Sequence, residues 1–110
     1  MATLFTKILN GEIPAEIIYQ DENVFAIKDI SPQAPVHVLI IPKKEVTGVS
    51  AVEVGDGTET LLLAARKVAE QLGITNGYRL VINEGEDGAQ TVSHLHVHLL
   101  AGRKLSWPPG

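Results

Sequence analysis

The 110-residue chain has no cysteine, so disulfides and thiolate metal sites are excluded and a reducing compartment is permitted. It has no excess of positive charge either. Nine Lys plus Arg stand against thirteen Asp plus Glu, a net charge of −4, which argues against a nucleic-acid binder, whose affinity rests on many cationic contacts to phosphates. A small anion would have to be held by local donors such as backbone amides, imidazoles and amide side chains. The opening "MATLFTKILNGEIP" interrupts its apolar residues with a lysine, a glutamate and a proline. It therefore reads as neither signal peptide nor spanning segment, and a soluble, cytoplasmic protein without membrane contact is expected. There is no internal repeat or low-complexity tract, and the length leaves room for one domain, residues 1–110, around a single hydrophobic core.

What is present alternates strand and turn signals. Thr3 can cap a short helix carrying Leu4, Phe5, Ile8 and Leu9 at helical spacing, terminated by "NGEIP". "EIIY" and "VFAIK" read as a hairpin around "QDEN", and the two prolines of "DISPQAP" make it a connecting loop. "VHVLIIP" is apolar on both faces and reads as a central strand. From about Thr58 to Leu72 a wide apolar face marks the main helix, with Gly73 as its stop. "YRLVIN" and "VSHLHVHLLA" (92–101) are the fourth and fifth strands, joined by the glycine-bearing "EGEDGAQ", and 102–110 is an irregular tail. The expected fold is α+β: an antiparallel sheet of about five strands, one main helix on its apolar face, a short N-terminal helix, and the other face free for chemistry.

The densest chemistry lies in "HLHVH". Along an extended strand His94, His96 and His98 share one face and Leu95, Val97 and Leu99 the other. The apolar side fixes the register and aims three imidazoles the same way. Residues two apart on a strand are separated by about 6.6 Å and four apart by about 13 Å, so two neighbouring rings could share one ion, but all three could not without a bulge. No metal and no cofactor is expected. Nucleophilic catalysis suits the spacing: the middle ring attacks while its neighbours orient it and handle protons, and a neutral imidazole at cellular pH is a competent nucleophile toward phosphorus.

Other candidates carry two readings each. Gly85 and Gly88 permit backbone conformations whose N–H groups converge on an anion, or simply make a turn between strands. Asn83 can donate its amide to a phosphate oxygen or to a strand end. Asp29 in "KDISP" can form an Asx turn or accept the hydroxyls of a ribose.

"HLHVHLL" matches the histidine-triad pattern. "LFTKILNGEIPAEIIYQDE", "DISPQAPVHVLIIPKK", "NEGEDGAQTVSHLHVHLLAGRK" and the closing "WPPG" follow in order. Over nearly its whole length the chain resembles the histidine triad nucleotide-binding (Hint) branch of the histidine triad (HIT) family. The resemblance implies a HIT-like domain and a homodimer that binds purine nucleoside monophosphates and hydrolyses adenosine 5′-phosphoramidates. It implies His96 as the nucleophile on the α-phosphorus, and His98 as a phosphate contact that helps protonate the leaving amine. His94 and His37 are implied as supports of ring orientation. It further implies Asp29 as the ribose ligand, Leu4, Phe5, Ile8, Ile27 and Ile30 as the base pocket, Asn83, Ala89, Gln90 and Thr91 on the phosphate side, and Trp107 reaching the leaving group across the dimer. Thr91, Ala89 and Ser93 stand where relatives often have serine, glycine and tyrosine, which bears on specificity and leaves the nucleophile untouched. A nucleotide-responsive interaction module and a dinucleoside polyphosphate hydrolase are the alternatives.

Overall fold

The computed structural model describes residues 2–110. Helix α1, Leu4–Leu9, begins where the Thr3 hydroxyl accepts the Thr6 N–H and ends at Asn10 and Gly11, the latter at φ +81°. Strands β1 (Ile17–Gln20) and β2 (Val24–Lys28) form the expected hairpin, its turn held by Asp21 Oδ1, which accepts the N–H groups of Asn23 and Val24. Strand β3 is Val36–Pro42, α2 is Leu61–Gln71, β4 is Arg79–Val81 and β5 is Val97–Ala101. The sheet order is β1-β2-β3-β5-β4 and every pairing is antiparallel. The two-sided apolar strand β3 is central, as its composition requires.

Three departures from the sequence reading have local causes. Residues 58–60 of the expected main helix form a 3-10 turn entered from Gly57 at φ +90°, and the α-helix proper starts at Leu61. The strand expected over 92–101 pairs only from Val97. Opposite the missing part β3 reaches Pro42, which has no N–H to offer a ladder. The Leu95 N–H donates instead to the Val46 carbonyl at 2.7 Å, and the alternation survives: Leu95, Val97 and Leu99 are all in the core.

The third departure is that the apolar residues form two clusters, one on each sheet face. Val24, Ala26, Val38, Ile40, Val97 and Leu99 pack with Leu61, Ala64, Ala65 and Val68 of α2. Phe25, Ile27, Leu39 and Ile41, the opposite parity of β2 and β3, pack with Phe5 and Ile8 of α1. Because both strands are apolar on both faces, the second face cannot stay open, and α1 covers part of it. The histidines lie on this same face, with α1 packed against two of them.

Candidate active site

Register assembles the site. His98 on β5 faces Leu39 on β3, so His37, two residues back on β3, is its diagonal neighbour on the same face. Their rings are 5.2 Å apart, and His98 lies 5.0 Å from His96 in an edge arrangement. Phe5 of α1 meets both His94 (5.5 Å) and His96 (5.0 Å) in edge-to-face arrangements, so the first helix packs directly on the triad.

The hydrogen bonds assign the tautomers, because backbone groups have fixed polarity. The Pro42 carbonyl, 2.8 Å from His94 Nε2, can only accept, so His94 carries its proton there. His94 Nδ1 is then a lone pair and receives the Thr3 hydroxyl at 2.6 Å. The His94 carbonyl accepts from His96 Nδ1 at 2.7 Å, leaving His96 Nε2 with a free lone pair. On the other side the Gln33 N–H donates to His37 Nδ1 at 3.0 Å, so His37 carries its proton on Nε2 and donates it to His98 Nδ1 at 2.9 Å. His98 therefore carries N–H on Nε2, a buried atom with no protein acceptor.

Burial favours the neutral form of three of these rings, His37, His94 and His98. It lowers the pKa of His37 against the opposing pull of the Asp29 carboxylate, and it lowers that of fully buried His94 although the Pro42 carbonyl and Glu45 act the other way. For His98, burial reinforced by His96 and His37 brings the pKa down to about 4, with Asp29 acting in the opposite direction.

His96 and His98 line a cavity of about 310 Å³ with Leu4, Phe5 and Ile8 of α1, Ile27 and Leu39 of the sheet, and Asp29, Ile30, Thr91 and Val92 of the loops. All five apolar residues implied for the base pocket therefore meet there, together with Asp29, Thr91 and two triad histidines. Ile30 is 95% exposed, a rim residue with one apolar face to offer. Asp29 Oδ1 accepts the Ser31 N–H at 2.8 Å in an Asx turn, while Oδ2 sits 3.4 Å from His37 Nε2. A larger, more open cleft of about 660 Å³ lies against Tyr78, Arg79, Arg103 and Lys104, but no imidazole or carboxylate lines it.

Asn83, Ala89 and Gln90 lie outside the cavity lining. Gln90 braces the loop: Oε1 accepts the Gly85 N–H at 2.9 Å, and Nε2 donates to the carbonyls of Thr47 (2.7 Å) and Val92 (3.0 Å). The N–H groups of Ala89 and Gln90 are also bonded within the loop, to Glu86 and Gly85. The left-handed positions are Gly85 (φ +70°) and Ala89 (φ +63°), not Gly88. Gly88 is needed for space, since a Cβ there would collide with the Glu84 carbonyl. Trp107 is 82% exposed in the single chain.

Among the described residues, Asp29, His37 and His98 each offer one ligand atom within 4.8 Å of the others. A cation there would have to displace the proton shared by the two imidazoles. His37 would then hold its proton on Nδ1, facing the Gln33 N–H, so the donor set fits a metal poorly. Sequence reasoning missed Thr3 as a partner of His94, and Gln33. Gln33 acts through a backbone N–H that no side-chain pattern announces. Leu39 could have been found from its alternation with His37 on β3.

The HIT domain matches residues 10–105, and the chain belongs to the histidine triad family. It is 54% identical over 110 residues to an uncharacterized HIT-like protein of Synechocystis sp., covering 98% of this chain and 96% of that one. A HIT family hydrolase from Legionella pneumophila superposes with a TM-score of 0.92 at 46% identity, over 99% of this chain and 100% of the other. A histidine triad nucleotide-binding protein from Candida albicans does so with 0.82 at 30% identity, over 97% and 83%. No described helix is long and apolar enough to cross a membrane.

Proposed function

We propose that the protein is a purine nucleoside phosphoramidase, a hydrolase that releases a nucleoside monophosphate from its 5′-phosphoramidates through a nucleotidyl-histidine intermediate. The observation that carries this reading is the opposite polarity of two neighbouring imidazoles on one cavity: His96 Nε2 offers a lone pair and His98 Nε2 an N–H. The apolar slot between α1 and Ile27 suits a purine ring, and Asp29 at its rim suits the ribose hydroxyls.

In the first step His96 Nε2 bonds to the α-phosphorus and the P–N bond breaks with its electron pair on nitrogen. The nitrogen leaves as an amine after taking one proton that enters from solvent. His94, through its carbonyl, supports the positive charge that develops on His96, and the His98 N–H stabilises the phosphoryl oxygens and the departing nitrogen. In the second step water adds to phosphorus, the bond to Nε2 breaks with its pair returning to His96, and one proton goes back to solvent.

Thr91 lines the cavity, which supports its hydroxyl as a phosphate contact in this reading, while Gln90 braces the loop before it and Ala89 supplies that loop's left-handed turn. The exposed Trp107 supports a homodimer in which it meets the partner's leaving group, and a cytoplasmic setting fits the cysteine-free composition. The test measures AMP release from adenosine 5′-phosphoramidate, with chelator present, by wild type and His96→Asn. Wild type is expected to turn over, and the variant to lose at least a thousandfold in kcat while still binding AMP. Near-normal turnover by the variant removes the nucleophile assignment, and an inactive, AMP-binding wild type removes the phosphoramidase.

A further inference from the structure

The buried, unpartnered N–H of His98, a ring that lines the cavity, depends on a residue outside it. Arg103 follows β5 by two positions. Gly102 between them is at φ +92°, and a Cβ there would lie 2.8 Å from Pro35, so the chain turns tightly onto the loop that precedes β3. From this turn the Arg103 guanidinium forks onto the Gln33 carbonyl, with Nε at 3.3 Å and Nη2 at 3.1 Å. The same residue, Gln33, sends its N–H to His37 Nδ1 and, with the Asp29 carboxylate 3.4 Å from Nε2 on the other side of the ring, holds the His37 proton on Nε2, which in turn sets the nitrogen of His98 that carries its proton.

We propose that Arg103 is a positioning residue for the reaction proposed above, acting through Gln33 and His37 to keep an N–H of His98 facing the phosphate. This rests on the phosphoramidase reading for its consequence in catalysis, but not for its structural content. Without the fork the Gln33 loop is free to swing away, and the proton of His37 can move to Nδ1. His37 Nε2 then accepts from His98 Nδ1–H, and His98 turns a lone pair toward the anionic oxygens of the substrate. Repulsion replaces a donor that should matter most as charge builds up on phosphorus.

The test compares Arg103→Met, which keeps the stem and removes the donors, with Arg103→Lys, which can return one bond to the Gln33 carbonyl. Arg103→Met is expected to lower kcat for adenosine 5′-phosphoramidate about tenfold with KM within about twofold, because Arg103 does not line the cavity. Arg103→Lys is expected to recover to within about threefold of wild type. Imidazole ¹⁵N spectra of the resting proteins supply a readout independent of turnover: His98 should be the Nε2–H tautomer in wild type and a mixture in Arg103→Met. An unchanged His98 tautomer, or losses in which KM changes as much as kcat, overturns the proposal. If wild type does not hydrolyse the phosphoramidate, the functional reading falls and the spectra alone decide the role of Arg103.

Discussion

Replacing Thr3 by valine keeps the shape of the side chain and removes one oxygen that does two jobs. That oxygen accepts the Thr6 N–H at 3.2 Å, capping α1, and its hydrogen goes to His94 Nδ1 at 2.6 Å. Losing the cap costs about 1 kcal/mol. Losing the donor strands a lone pair on a fully buried ring, which costs about 1–3 kcal/mol. His94 cannot recover by moving its proton to Nδ1, because Nε2 would then set a lone pair against the Pro42 carbonyl. The expected loss is therefore roughly 2–4 kcal/mol, equivalent to a fall in Tm on the order of 10 °C for a domain of this length. Thr3→Ser retains both bonds and should stay within about 1 kcal/mol of wild type. Urea unfolding at one fixed protein concentration measures both variants, with unchanged slopes required for the comparison. A valine variant within about 0.5 kcal/mol of wild type, or a serine variant as damaged as valine, would refute the latch between α1 and the triad.

Two further expectations follow from the same geometry. Ala89 sits at φ +63°, where an L side chain is strained by about 1–2 kcal/mol and glycine is not. Allowing for the extra freedom glycine gains in the unfolded chain, Ala89→Gly should stabilise by about 0.5–1 kcal/mol in urea unfolding, and destabilisation would contradict it. The second concerns pH. His37, His94 and His98 have folded pKa values below the ordinary histidine value, so between about pH 6.5 and 4 the unfolded chain binds more protons than the folded one. Their contribution is complete above about pH 6.5 and is lost as pH falls toward about 4, with a slope of at most about 1.4 kcal/mol per pH unit for each group. A flat stability curve between pH 6.5 and 4.5, above most carboxylate titration, would count against neutral buried rings.

The legible parts of the fold were those that side-chain pattern controls. Apolar runs bounded by turn signals located β2 and β3, and the aliphatic stripe with Gly73 bounded α2, because burial selects those residues directly. The early end of β5 was hidden, since the loss of pairing opposite Pro42 depends on which strand lies alongside. The loop before the triad was misread in detail for a related reason. Gly85 and Gly88 look alike in sequence, yet one supplies a positive φ and the other only clears space for the Glu84 carbonyl, while the second left-handed residue is an alanine.

The site divides along the same line, and the division explains why its chemistry needs a fold. Four imidazoles are visible in the sequence, but what each can do depends on where its proton resides. That is decided by Pro42 C=O and His94 C=O on one side and Gln33 N–H on the other. These are main-chain groups, present at almost every position and silent in a residue pattern, and their polarity cannot invert. One chain of bonds begins at a carbonyl and ends with a lone pair on His96. The other begins at an N–H and ends with a proton on His98. The two rings are 5.0 Å apart on one cavity, so a ring nitrogen with a free lone pair and a ring N–H belong to neighbouring side chains. A full charge in a buried site would carry a large desolvation cost, and the backbone achieves the same asymmetry with dipoles already fixed by the sheet and its loops.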